Sequence, residues 1–442
     1  MKKNTFYILS LGCAKNLVDS NVLAQLLEEE GLTYAQSSNQ AEFLLVNTCG
    51  FIHDARQESI DTIKELTEKK KPGQKIIATG CLAERWKESF LKSYPDVHGL
   101  IGTRNLADIV PLIRNLKSDK DKQSTAYPAY PALQYSQHAS YTAIQGGSSY
   151  LKIADGCHRS CAFCAIPGIK GSLVSRDVES ILRDARFLSD SGVKEINLIA
   201  QDLTSYGVDR KEKNGLANLL KAIITDIPKV PWLRLLYTYP GMINDELINL
   251  MAESSQILPY LDIPLQHADP AVLQAMRRPS DIDWVRKTIA KMRGLIPNLV
   301  VRTTFIVGFP NETEESFRML KDFVTEIGFD HLGVFTYSPE IGTAAEPLGD
   351  PIPETIKNAR RDELMALQAE LAQIKTSHLV GTIMDVLVEG SDPKQGIIIG
   401  RTYRDSPEID GLVVASGSGQ PGEMVKVKIE NTGPYDLFGI QL

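Results

Sequence analysis

Six cysteines in a chain of 442 residues fall into two groups of three, and three thiolates cannot by themselves close a four-coordinate metal site. The first group is local. In "DGCHRSCAFCAIP", residues 155–167, Cys157, Cys161 and Cys164 stand at the spacing Cys-x3-Cys-x2-Cys. Zinc would take His158 as its fourth ligand, yet His158 adjoins Cys157, and two chain neighbours have difficulty reaching one ion with tetrahedral geometry. An iron-sulfur cluster normally takes four cysteines, so three leave one iron open to an outside ligand, and an open iron is a chemical site.

The second group is dispersed. Cys13, Cys49 and Cys81 each follow an apolar strand-like run, at intervals of 36 and 32 residues, which are βαβ periods. Parallel strands point their carboxyl ends to one edge of the sheet, where such folds place ligands. The three cysteines are therefore expected to meet in one cleft. Three buried structural cysteines are the alternative, a common fate of this residue type, but the coincidence at three strand ends favours a metal site.

The elements that must hold these groups are legible in the hydrophobic pattern. Residues 1–115 alternate runs such as "TFYILSLG", "AEFLLVNT" and "KIIATG" with helical stretches, which predicts a parallel α/β sheet domain. Residues 116–149, rich in Ser, Tyr, Pro and Gly, read as a linker. Over 150–353, six strand-like runs ("YLKIADG", "EINLIAQD", "WLRLLYTYP", "YLDIPLQH", "LVVRTTFIVGF", "HLGVFTYSP") are separated by helical patterns. They predict a partial (β/α)6 barrel, with the local cysteine group after the first strand, at the catalytic end of such a barrel. An amphipathic helix over 354–375 leads into residues 376–442, where short strands punctuated by Gly and Pro predict a small antiparallel β-barrel.

Composition narrows the class. With 43% hydrophobic and 23% charged residues and a net charge of −7, the chain has an ordinary globular composition and no global pull toward nucleic acid. The start "MKKNTFYILSLGC" imitates a lipoprotein signal, but its apolar run Phe6–Leu11 is shorter than the about 7–15 residues of such a region. No other run approaches the ~18 apolar residues that span a bilayer. A chain of this size needs no disulfide staples, so the reading is a cytoplasmic protein with reduced cysteines and no membrane partner. The basic run "EKKKPGQK", residues 68–75, reads as a solvated helix end.

Three further features fall at strand ends facing the presumed cavity. "IVGFPNETEE", residues 306–315, has too few glycines and no lysine for a phosphate loop, so Gly308 and Pro310 read as a strand-to-helix turn. His267 and Tyr337 read as packing or hydrogen-bonding residues rather than proton shuttles.

The local cysteine loop after a first barrel strand resembles that of the radical S-adenosylmethionine superfamily. "LGCAKNLVDS", "VNTCGFI", "GCLAER", "FCAIPGIKG", "INLIAQDLTSYG", "LDIPLQHA", "RTTFIVGFPNETEE" and "GVFTYSPEIGT" together resemble the methylthiotransferases of that superfamily, over nearly the whole chain. Within them, "LGCAKN" and "IAQDLTSYG" are similar to the branch that methylthiolates an aspartate of small-subunit ribosomal protein S-twelve, whereas the tRNA-modifying branch usually carries a "CQMN"-like first motif.

The resemblance implies two 4Fe-4S clusters, one on Cys157, Cys161 and Cys164 and one on Cys13, Cys49 and Cys81. It implies S-adenosylmethionine, chelated at the open iron of the first, as both radical source and methyl donor. It also implies Gln201 and Arg302 as contacts of that cofactor, the Gly308 turn as lining its adenosine pocket, a C-terminal TRAM domain, an external electron donor and a sulfur source. Phe163, between Cys161 and Cys164, would pack near the adenine or shield the cluster from water. A radical route suits the target, because an aspartate β-hydrogen is not acidic enough for a side-chain base to remove usefully at neutral pH.

The C-terminal barrel separates the two substrate classes. From Thr376 onward, five basic residues oppose nine acidic ones, a net of −4. An RNA-binding barrel would be expected to show a basic stripe, whereas an acidic one suits a basic ribosomal protein and disfavours tRNA. A non-catalytic iron-sulfur carrier, the third reading, has no need of an open iron inside a six-unit barrel.

Overall fold

The computed structural model of the chain describes residues 2–118, 123–126 and 140–442. These fall into two compact units. One comprises Met1–Ala143, Ala154–Asp184 and Glu340–Ala344; the other comprises Ile144–Ile153, Ala185–Pro339 and Ala345–Leu442.

The first unit is built on a six-stranded sheet in the spatial order Thr33–Tyr34, Thr5–Ser10, Phe43–Thr48, Lys75–Thr79, Gly99–Ile101, Ser124–Ala126. Every pairing in it is parallel. Phe43–Thr48 and Lys75–Thr79 are buried along their whole lengths, as the strands of a sheet covered on both faces must be. On one face Leu44, Val46, Ile76 and Ala78 pack against Ile60 and Ile63 of the helix His53–Lys69 and against Leu82 and Phe90. Each fully buried Leu, Ile or Phe there contributes about 1.5–3 kcal/mol.

Within 116–149, where a linker is expected, the helix Ile109–Ser118 runs on to Ser118, Ser124–Ala126 is the sixth strand, and Thr142–Gln145 is extended. Residues 119–122 and 127–139 of that segment lie outside the described residues. Ser124–Ala126 has no apolar alternation to announce it, and pairing with Gly99–Ile101 is what makes it a strand.

The second unit holds the six expected barrel strands: Ser148–Lys152, Glu195–Ile199, Trp232–Leu235, Tyr260–Asp262, Val300–Val307 and His331–Thr336. The first three form one parallel ladder and the last three another. Between the two ladders, the Leu258 N–H donates to the Leu233 carbonyl at 2.9 Å and the Thr238 N–H to the Asp262 carbonyl at 3.0 Å. The result is the partial (β/α)6 barrel. The helix Glu354–Ser377 packs along the sixth strand, with Gln368 Nε2 donating to the Phe329 carbonyl at 3.1 Å.

Residues from Ile383 form a closed barrel of five strands, Ile383–Asp392, Ile397–Arg401, Val413–Ser416, Leu437–Gln441 and Met424–Thr432 in spatial order. Four pairings are antiparallel, as expected of a small antiparallel barrel, and one, Val413–Ser416 with Leu437–Gln441, is parallel. The reason is parity: strand direction cannot alternate all the way around a closed ring of five.

The loop after Ile397–Arg401 meets the amino-terminal ends of the (β/α)6 strands through buried charges. Glu195, the first residue of its strand, accepts from Arg234 Nε at 2.8 Å and from Arg401 Nη2 at 2.6 Å, with all three side chains at most 1% exposed. Burial alone would push the Glu195 carboxyl up, but Arg234 and Arg401 outweigh it and hold its pKa at about 2. Asp410 of the same loop accepts from Tyr260 Oη at 2.6 Å and from Arg302 Nε at 3.2 Å.

Candidate functional site

Parallel topology brings the dispersed cysteines together. Cys13 caps the helix Ala14–Glu29, Cys49 follows Phe43–Thr48, and Cys81 is the second residue of the helix Gly80–Trp86. Cys13 is exposed, while Cys49 and Cys81 are buried. Burial pushes both buried thiols above their ordinary range, and the neighbouring cysteines add to the effect; near Cys81 the Lys170 ammonium opposes it.

Asn16 organises this cleft. Its Nδ2 donates to the Leu11 carbonyl at 2.9 Å and to the Thr48 carbonyl at 3.1 Å, while its Oδ1 accepts from the Cys81 thiol at 3.7 Å. One buried amide thus touches the segments carrying all three cysteines. Asn47 Nδ2 in turn donates to the Asn16 carbonyl at 2.7 Å. Sequence reasoning missed Asn16, although it sits inside "LGCAKN". It also missed Glu340, which accepts from Arg85 Nη1 at 2.8 Å; the same Arg85 nitrogen donates to the Gly50 carbonyl beside Cys49 at 2.9 Å.

Gly12 must be glycine twice over, because its φ is +86° and an added Cβ would stand 2.8 Å from Cys49 Cβ. Gly31 has a similar φ of +83° but open space around it. Gly12→Ala is expected to cost about 1–3 kcal/mol and to lower iron uptake, whereas Gly31→Ala carries the backbone strain alone. Thermal melting and iron content of the two variants, compared side by side, separate collision from strain. Equal effects would remove the Cys49 contact as the cause.

The local triplet lies in the same unit. Its loop follows Ala154–Asp155, which pairs antiparallel with Val174–Ser175. The Cys157 N–H donates to the Gly171 carbonyl and the Cys164 N–H to the Cys161 carbonyl, both at 3.1 Å, so the loop is closed on itself. The Arg159 N–H points at Cys157 Sγ, 3.4 Å away. All three cysteines and Phe163 are half-buried, and His158 is exposed. Directly after the loop, the helix Ile166–Lys170 packs Ala165 and Ile169 against Cys81.

Among the described residues, no three His, Cys, Asp or Glu side chains are gathered around a single-ion position. Cluster cysteines each take a different iron, and six cysteines in two triplets, with no disulfide among them, are a donor set suited to that chemistry.

The other expected residues sit in the second unit. Gln201 is half-buried, two residues past the carboxyl end of Glu195–Ile199, and Gly308 follows Val300–Val307 with φ +80°. The Gly308 N–H donates to Glu312, and the Lys357 side chain fills the space a Cβ would need. His267 is fully buried, faces Glu312 Oε1 at 3.2 Å and accepts from the Asp269 N–H at 2.9 Å. Tyr337 donates to the Ala345 carbonyl at 3.4 Å and sets its ring against Phe309. These are packing and hydrogen-bonding roles.

Arg302 stands apart from Gln201 and Gly308. It lies near the amino-terminal end of its strand, about 20 Å of chain before Gly308, and its guanidinium is engaged by Asp262 at 2.9 Å and Asp410 at 3.2 Å. The expectation of a cofactor contact there came from the family resemblance. Its partners lie 40 and 108 residues away in sequence, out of reach of local pattern.

Comparison with known proteins agrees with this layout. The chain matches an uncharacterized protein family, UPF0004, over residues 5–102, the radical SAM superfamily over residues 151–324 and the TRAM domain over residues 380–441. In fold it is similar to the radical S-adenosylmethionine methyltransferase TsrM from Kitasatospora setae, solved with cobalamin and a 4Fe-4S cluster bound. The TM-score is 0.57 at 13% identity, covering 78% of this chain and 74% of that one. It is also similar to the cobalamin-dependent S-adenosylmethionine radical enzyme OxsB, with a TM-score of 0.51 at 13% identity over 78% of this chain and 55% of that one. At such identities the likeness is one of fold.

The matched regions define a radical S-adenosylmethionine protein with a TRAM barrel appended. Ribosomal protein uS12 methylthiotransferase RimO of Aquifex aeolicus (strain VF5) is 44% identical over 98% of this chain and 96% of its own length. The protein of the same description from Pelotomaculum thermopropionicum is also 44% identical, over 98% of each chain. That from Herpetosiphon aurantiacus is 40% identical over 98% of this chain and 99% of its own. The chain belongs to the uS12 methylthiotransferase RimO family.

Proposed function

We propose that this chain replaces a hydrogen on the β-carbon of an aspartate of ribosomal protein uS12 with a methylthio group. The observation that carries the reading is that both cysteine triplets lie in one compact unit, joined by the helix Ile166–Lys170. Hydrogen abstraction and sulfur insertion at the same carbon need two sites held close together.

Cys157, Cys161 and Cys164 would hold one 4Fe-4S cluster, and Cys13, Cys49 and Cys81 the other. With S-adenosylmethionine bound, these groups supply a 5′-deoxyadenosyl radical and a methylated sulfur. The protein's part is to place and shelter them. The loop bonds of Cys157 and Cys164 and the amide of Asn16 fix where the thiolates point, and Phe163 screens the local triplet from water. Electrons and sulfur come from an external donor and source, and the setting is the cytoplasm. Among the described residues no helix is long and apolar enough to cross a membrane.

Substrate class follows from charge. Arg401 pairs with Glu195 and Arg404 with Asp330, while Asp405 faces His331 and Asp410 faces Arg302, which takes two residues of each sign out of the TRAM surface. Three lysines then face seven acids. The surface is acidic, as a docking face for a basic ribosomal protein should be. The division of labour runs along the chain: 1–115 for the second cluster, 116–149 as connector, 150–353 for radical generation, 354–375 as connecting helix and 376–442 for docking.

The test is direct. Anaerobically reconstituted protein is given S-adenosylmethionine, a reductant and either uS12 or unmodified tRNA, and the products are weighed by mass spectrometry. The expected product is uS12 heavier by one methylthio group in place of one hydrogen. Added mass on tRNA alone would overturn the reading, and failure to cleave S-adenosylmethionine would make the chain an iron-sulfur scaffold.

A further inference from the structure

We propose that Lys170 is the positioning residue that sets the two cysteine triplets in register with each other. The inference rests on the functional reading in one respect, that both triplets hold clusters. Lys170 ends the helix Ile166–Lys170, six residues after Cys164, and its side chain is 2% exposed. Its Nζ stands 2.8 Å from Asp19 Oδ2 and 3.1 Å from Asp155 Oδ2, carboxylates that are 3% and 2% exposed.

The two carboxylates belong to different triplets. Asp155 lies two residues before Cys157, and its Oδ1 accepts from the intervening Gly156 N–H at 3.0 Å. Asp19 sits on the helix Ala14–Glu29, which Cys13 caps. The third segment is reached through packing, because Ile169 and Ala165 of the same helical turn lie against Cys81. One ammonium therefore holds the entry to the local triplet and the helix leaving the dispersed one, while its own helix covers the remaining cysteine.

Stability alone is a poor reason for this arrangement. A buried ion pair is often no better than apolar residues of the same volume, but it demands that its partners present their oxygens to one point. Apolar packing would let the two strand-end loops slide against each other. The Lys170 triad does not, and transfer between two sites depends steeply on their separation and orientation.

Two half-site chains make the role measurable in the full-length protein, one with Cys13, Cys49 and Cys81 changed to Ala and the other with Cys157, Cys161 and Cys164 changed to Ala. Into each go Lys170→Arg or the neutral set Lys170→Met with Asp19→Asn and Asp155→Asn, which leaves no lone buried charge. The neutral set is expected to alter the electron paramagnetic resonance line shape and the midpoint potential of the remaining cluster in both half-site chains, and Lys170→Arg to restore them. In the chain with all six cysteines, the neutral set is expected to lower methylthio transfer per S-adenosylmethionine cleaved by about tenfold to a hundredfold. A neutral set that lowers the melting temperature but leaves both spectra and the transfer ratio unchanged makes Lys170 a packing residue and overturns the proposal. Iron uptake at both triplets without transfer to uS12 would remove the functional reading alone, because the two spectra still judge Lys170. A native chain that takes up iron at neither triplet overturns both.

Discussion

Cys161→Ala, assayed anaerobically after reconstitution, is expected to lower S-adenosylmethionine cleavage by at least about a thousandfold, a barrier increase of about 4 kcal/mol. In the proposed function Cys161 is the middle ligand of a loop closed on itself, and its carbonyl accepts the Cys164 N–H. Losing its thiolate would leave the proposed local cluster two protein ligands, too few to keep an open iron in place. The dispersed triplet should still take up iron in that variant.

The counterpart, Cys49→Ala, is expected to reverse the pattern, with S-adenosylmethionine still cleaved and no methylthio group transferred. Cleavage is read by chromatographic detection of 5′-deoxyadenosine, transfer by the mass of uS12, and cluster content by iron assay. If Cys161→Ala still cleaves S-adenosylmethionine at the native rate, the assignment of the radical to the local triplet fails. If Cys49→Ala still transfers the group, the dispersed triplet is not the sulfur site.

The second large effect is on stability. Glu195→Ala leaves Arg234 and Arg401 buried without their shared acid, and removing one member of a buried ion network costs about 3–5 kcal/mol. For a unit of this size that is a fall of about 6–20 °C in melting temperature. Acid should act in the same direction. The Glu195 carboxyl is held at about 2 in the folded chain, against about 4.3 when unfolded. The unfolded state therefore binds this proton first as pH falls. The contribution is fully present above about pH 4.3 and is lost as pH drops toward 2. Glu195→Gln, which cannot ionise, should flatten the melting temperature between pH 5 and pH 3 relative to the native chain, as followed by circular dichroism. Parallel profiles for the two proteins would show that the network carries no such linkage.

The two cysteine groups differ in how they can be read. Cys157, Cys161 and Cys164 declare themselves by spacing, because one short loop contains them. Cys13, Cys49 and Cys81 could be joined only by way of topology: three apolar runs with helical patterns between them imply parallel strands, and parallel strands share an edge. The six barrel strands were equally legible, since burial on both faces writes long Val, Ile and Leu runs into the sequence. Ser124–Ala126 was not, because three polar or small residues become a strand only beside Gly99–Ile101.

By itself, the sequence determined where the thiols stand along the chain, which runs become strands and the net charge of the C-terminal barrel, all consequences of local composition and periodicity. Tertiary structure alone decided the partners of buried polar groups. Asn16 reaches a carbonyl 32 residues away, Lys170 an acid 151 residues away and Arg401 an acid 206 residues away. It also decided that Arg302 faces Asp262 and Asp410. A buried charge or amide must find its counterpart wherever the fold provides one, and that choice leaves no periodic trace in the chain.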